Sequence, residues 1–74
     1  MGKGTRRLQN RLRELRQERQ VTQQALADAV GITRQTVIAI EGNKYSPSLE
    51  VAFLIAEALR VPLEDVFQLQ PADG

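Results

Sequence analysis

The sequence predicts an all-α fold of five short helices, with a short antiparallel β-ribbon as an option at its two ends. Three observations predict it. Apolar residues recur at helical spacing along almost the whole chain. Thr22, Thr33 and Ser48 stand just ahead of such stretches, as helix-capping residues do. Gly31 and the pair Gly42-Asn43 stand just behind two of them, where residues that tolerate positive φ end helices. There is no internal repeat and no low-complexity tract.

The elements follow in order. Residues 1–7 read as a flexible N-terminal segment, 8–70 as the domain and 71–74 as a tail. A first helix is predicted over about 8–19, with Leu8, Leu12 and Leu15 on one stripe. Thr22 caps a second helix that runs to about Val30 and buries Leu26, Ala27 and Val30. Its third helical position is Ala25, so the start is a plain cap and not a capping box. Gly31 ends it. Thr33 caps a third helix over roughly 34–42, and Lys44-Tyr45-Ser46-Pro47 is a loop. Ser48 caps a fourth helix through about Arg60. Leu49, Ala52, Phe53, Ile55, Ala56 and Leu59 would form its buried face. Pro62 suits the first position of a short fifth helix, and Glu64 and Asp65 favour its first turn. Val66 to Gln70 alternates apolar and polar, the period of a strand. Residues around Arg7-Leu8-Gln9 could pair with it, or could extend the first helix.

Composition limits the chemistry. A chain of 74 residues is one small domain with a thin core. It has no cysteine, so no disulfide or thiolate metal site can support it, and oligomerisation is the expected extra source of stability. It has no histidine, which removes the common general base and metal ligand. No pair of carboxylates has a convincing inward setting, so an enzyme is not expected, nor is a cofactor. No apolar run approaches the roughly 20 residues of a membrane span, and the basic start lacks the apolar stretch of a signal peptide, so a cytoplasmic protein is expected. The net charge is only +1, but its distribution is uneven. Lys3, Arg6, Arg7, Arg11, Arg13, Arg16 and Arg19 crowd the first 20 residues, while Glu50, Glu57, Glu64, Asp65 and Asp73 lie in the second half. That asymmetry fits one positive and one negative side, or a plain solvated helix face.

The informative segment runs from Thr22 to Glu41. Two short helices are joined by about three residues with a glycine in the joint, which is the helix-turn-helix layout. Ala27 lets the helices approach, and Ile32 and Val37 fill the space between them. An ordinary αα corner would share this much. The third helix separates the two readings. At about 100° per residue, Val37 and Ile40 face inward, Thr36 lies at the edge, and Arg34, Gln35, Ile38 and Ala39 share the outer face. A guanidinium matches guanine, an amide matches adenine, and an apolar group can meet a thymine methyl. Gln23 and the helix N–H groups beside it can hold a phosphate, and Lys44, Tyr45 and Ser46 can hold the backbone on the other side.

The segment from Gln24 through Leu26-Ala27, Gly31-Ile32, Arg34-Gln35-Thr36-Val37 and Ile40-Glu41 to Asn43-Lys44-Tyr45 resembles the Cro/cI-type (XRE) helix-turn-helix family. Ser46-Pro-Ser-Leu-Glu and Pro62-Leu-Glu-Asp-Val-Phe extend the likeness over about residues 8–70. The ending from Leu63 to Pro71 is similar to that of small stand-alone dimeric repressors in that family. The resemblance implies a five-helix, lambda-repressor-like DNA-binding domain whose third helix enters the major groove. It implies Gln23, Arg34, Gln35 and Ala39 at the helix-2 start and base-facing positions. Thr33, Thr36, Lys44, Tyr45 and Ser46 would take backbone or groove-edge positions, and Arg16 and Glu41 would form a structural ion pair. Ile38 is apolar where many members are polar, and Gly42-Asn43 reverses the usual order. The likeness further implies a terminal β-ribbon and a dimer contact, for which Leu63, Val66, Phe67 and Leu69 are the matching residues; the same four could instead complete the monomer core.

The resulting expectation is a homodimeric transcriptional regulator, by default a repressor, on a palindromic double-stranded DNA operator. Its half-sites would lie about one helical turn apart. No small-molecule effector site is evident. An antitoxin that represses its own operon, or a protein-interaction module without DNA, are the alternatives.

Overall fold

A computed structural model of the chain describes residues 7–70. The expectations for residues 1–6 and 71–74 lie outside the described residues. The order is β1 (Leu8–Asn10), α1 (Leu12–Glu18), α2 (Gln23–Val30), α3 (Arg34–Glu41), α4 (Leu49–Leu59), α5 (Leu63–Val66) and β2 (Phe67–Leu69).

Local chemistry sets most of these boundaries. Thr22, Thr33 and Ser48 are extended, and their hydroxyl oxygens accept from the N–H groups of Ala25, Thr36 and Val51 at 3.0, 3.1 and 3.2 Å. Each such cap satisfies one of the orphan donors at a helix start and contributes about 1 kcal/mol. The exits share one solution. Gln20, Gly31, Asn43 and Arg60 follow α1 to α4 at φ 58°, 87°, 58° and 60°. The next residue's N–H then reaches back: Val21 to the Arg16 carbonyl, Ile32 to Ala27, Lys44 to Ala39 and Val61 to Ala56, at 2.8–3.1 Å. This is the six-to-one bond of a Schellman turn. The third exit uses Asn43, because Gly42 stays at φ −87°. Gly42-Asn43 therefore works with asparagine in the left-handed position, which asparagine tolerates.

Three sequence expectations are corrected. The first helix begins at Leu12 and not near residue 8, because Leu8–Asn10 forms the ribbon. Leu8 pairs with Leu69, Gln9 with Gln68 and Asn10 with Phe67, antiparallel. Pro62 stands ahead of α5 in extended conformation and is not its first helical residue. On α4 only Ala52, Ile55, Ala56 and Leu59 are buried; Leu49 and Phe53 are 67% and 55% exposed.

The core draws on every helix. Leu12 and Leu15 of α1 meet Leu26, Ala27 and Val30 of α2, Val37 and Ile40 of α3, Ile55, Ala56 and Leu59 of α4, and Val66 of α5. Burying one such leucine contributes about 1.5–3 kcal/mol. Arg19 closes the far edge of α1 by donating from Nε to the Leu59 carbonyl at the end of α4. Among the described residues no helix is long and apolar enough to cross a membrane.

Candidate nucleic-acid interface

The helix-turn-helix is built by α2, the turn Gly31–Thr33 and α3. Ala27 is fully buried where the helices pack, and its carbonyl accepts from both Gly31 and Ile32 at 2.8 and 3.0 Å. A Cβ on Gly31 would meet nothing within 4 Å. The glycine is needed for its positive φ and not for space. Val37 is fully buried behind the turn and Ile32 packs against the core.

This corner turns one face of α3 outward. Arg34, Gln35 and Ile38 are exposed, Thr36 and Ala39 are half-buried, and Val37 and Ile40 point into the core. Ile38 is 44% exposed, an apolar group on an otherwise polar strip. Thr33 caps the helix, and its hydroxyl lies 2.9 Å from that of Thr36, so the two hydroxyls form one polar edge.

A surface depression lies at each end of α3. Arg13, Arg16, Thr22, Gln23, Gln24 and Arg34 line the one at its start. Arg7, Asn10, Lys44, Tyr45 and Ser46 are among the residues that line the one at its end. The sequence-predicted residues thus fall in three groups: Gln23 with Arg34 at the start of α3, the outer face of α3, and the loop Lys44–Ser46 after it. Arg13 was not among them. Its place on α1 beside Gln23 and Arg34 depends on how α1 crosses α2, which no local sequence signal encodes.

A connected set of side chains supports the first group. Arg16 Nε donates to Glu41 Oε2 at 2.7 Å, with the two side chains only 11% and 7% exposed. Arg16 Nη1 also donates to the Val21 carbonyl at 2.9 Å. Glu41 Oε1 accepts from Gln23 Nε2 at 3.2 Å, and Gln23 Oε1 accepts from Arg34 Nε at 3.4 Å. The buried carboxylate fixes the Gln23 amide with its nitrogen inward, since the reverse would set oxygen against oxygen. The amide oxygen then faces Arg34. The ion pair joins α1 to the end of α3, and removing one partner would leave an uncompensated charge, a loss of about 3–5 kcal/mol.

Four residues were offered as dimer contacts from the sequence. Val66 is fully buried within the single chain and belongs to its core, which corrects that assignment. Leu63 and Phe67 are half-buried against the core, and Leu69 is exposed. That set leaves out Leu49, Phe53 and Leu54, which are exposed on α4. Phe53 and Leu54 share a groove with Val61 and Leu63.

A compact α2–turn–α3 corner with a polar, cation-flanked outer helix defines a DNA-binding protein of the helix-turn-helix class. Comparison with known proteins agrees. The helix-turn-helix family profile matches residues 12–66. An uncharacterized HTH-type transcriptional regulator of Methanothermobacter thermautotrophicus is 54% identical over 59 residues, covering 78% of this chain and 86% of that protein. Another, from Methanocaldococcus jannaschii, is 47% identical over 60 residues, covering 81% and 91%. A cryptic phage CTXphi transcriptional repressor of Vibrio cholerae is 32% identical over 57 residues, 77% of this chain but 51% of that protein. The crystal structure of a candidate DNA-binding protein from Bacteroides fragilis superposes with a TM-score of 0.77 at 30% identity, covering 82% of this chain and 98% of that one. The chain belongs to the XRE-type helix-turn-helix family of transcriptional regulators. Members of that family bind DNA and are not enzymes.

Proposed function

We propose that the protein is a cytoplasmic transcriptional repressor that binds a palindromic operator as a homodimer and lays α3 in the major groove. One observation carries the reading: the outward face of α3 is polar apart from Ile38 and Ala39, with a cation-lined depression at each end of the helix. Arg34 reads guanine through its paired donors and Gln35 reads adenine through its amide. Ile38 meets a thymine methyl, and the small Ala39 lets the helix seat deeply. Thr33 and Thr36 line the groove edge. Gln23 holds the backbone at the start of α2, and Lys44, Tyr45 and Ser46 hold it after α3. Arg13 joins the first group.

Symmetry and surface support the dimer. Two copies related by a two-fold axis present two α3 helices about one turn of DNA apart. The exposed Leu49, Phe53 and Leu54 of α4 and Leu69 of the tail, with the half-buried Leu63 and Phe67 beside them, support a pairing face. Occupancy of the operator then excludes polymerase, and protein concentration sets occupancy without a small-molecule effector. The likeness to a phage repressor supports repression over activation.

Duplex binding measured across salt concentrations tests the reading. The logarithm of the affinity is expected to fall linearly with the logarithm of salt, by about 0.9 for each phosphate neutralised. Lys44→Ala is expected to weaken all sequences alike and reduce that slope by about one. Salt-independent binding would overturn the reading, and an unchanged slope would remove Lys44 from the contact.

A further inference from the structure

Asn10 belongs to the ribbon by its backbone and to the DNA-facing loop by its side chain. As the last residue of β1 it pairs with Phe67. Its Oδ1 accepts from the Leu12 N–H at 3.0 Å, at the start of α1. That bond fixes which end of the amide is which, so Nδ2 faces the other way. Nδ2 donates to the Ile40 carbonyl at 2.9 Å and to Asn43 Oδ1 at 3.0 Å. Both acceptors belong to the exit of α3. The Ile40 carbonyl also accepts from the Asn43 N–H at 3.0 Å, and the Lys44 N–H reaches Ala39 at 2.8 Å. The turn that carries Lys44 is therefore held from one side by α3 carbonyls and from the other by Asn10. Asn10, Asn43, Lys44, Tyr45 and Ser46 line one depression.

We propose that Asn10 is a positioning residue that ties the terminal ribbon to the turn after α3 and so holds Lys44, Tyr45 and Ser46 for the DNA backbone. The proposal rests on the reading of that loop as a phosphate grip. Its physical basis is the amide itself. The site needs an acceptor at one end and two donors at the other, and asparagine supplies both within its reach. A ribbon that opens would release the turn, which makes ribbon closure and backbone grip one event.

Asn10→Asp isolates the claim. The carboxylate keeps the acceptor for Leu12 but sets oxygen against the Ile40 carbonyl and Asn43. In the protein without DNA, amide exchange of Asn43 and Lys44 is expected to quicken roughly two- to tenfold relative to that of Gly31 and Ile32. Asn10→Ala removes both Nδ2 bonds and also the acceptor for Leu12, without adding charge, and is expected to give the same ratio. An unchanged ratio in both variants would overturn the proposal. On duplex DNA, the affinity loss in Asn10→Asp combined with Lys44→Ala is expected to be smaller than the sum of the separate losses. Additive losses, which an added negative charge acting at a distance would produce, would overturn it too. If Lys44→Ala alone binds duplex as well as the parent, the phosphate-grip reading fails; the exchange measurement uses no DNA and still decides whether Asn10 holds the turn.

Discussion

Arg34 stands at the end of a relay that begins in the core. The Arg16 guanidinium holds Glu41, Glu41 orients the Gln23 amide, and Gln23 presents its oxygen to Arg34. An arginine held this way loses less side-chain freedom on binding than a free one. Arg34→Ala is expected to cost about 1–3 kcal/mol on the preferred site and to relax preference at a single base pair. Selection of binding sites with the variant checks this, and a preference profile identical to the parent's would contradict it. The outward set on α3 was legible in the sequence, because Val37 and Ile40 alone fix which side of an eight-residue helix faces in. The link from Gln23 to Glu41 was not. Those residues are 18 apart in the chain, and their meeting depends on the angle at which α2 and α3 cross.

The helices owe their lengths to their ends. Thr22, Thr33 and Ser48 start three of them through bonds that span only three residues, so sequence alone locates them. The exits were half legible. Gly31 announces itself, but Gln20, Asn43 and Arg60 take the same left-handed conformation without a glycine. For an L-residue that conformation costs about 1–2 kcal/mol. Arg60 is exposed, its N–H bonds to Glu57, and its side chain makes no hydrogen bond or ion pair among the described residues. Arg60→Gly is expected to stabilise the protein by up to about 1 kcal/mol, measured by denaturant unfolding; a clear loss of stability would mean the arginine stem packs where its charge suggests it should not. The ribbon explains the misplaced start of α1. Leu8, Leu12 and Leu15 fit a helical stripe, and only pairing of Leu8 with Leu69 at the far end of the chain pulls residues 8–10 into a strand. Period-2 alternation in the tail signalled one partner, but the local pattern of the other was helical.

One chain leaves an apolar face uncovered. Leu49 and Phe53 carry the helical spacing of a core stripe with Ala52 and Ala56, which is why the sequence counted them as buried. Periodicity reports that a face must be covered and does not say by what. The fold covers Ile55, Ala56 and Leu59 from within and leaves Phe53 exposed. Phe53→Asp is expected to leave the helical content intact and to convert dimer to monomer in sedimentation; an intact dimer would contradict pairing through α4. Loss of the dimer should also collapse operator affinity, because each chain contributes only one reading helix. In the proposed dimer, two such helices read one symmetric site. Selection of bound duplexes from a random pool tests it most directly. Enrichment of an inverted repeat whose half-sites are centred about one helical turn apart is expected. Enrichment of a single asymmetric site, or no enrichment above the starting pool, would contradict it.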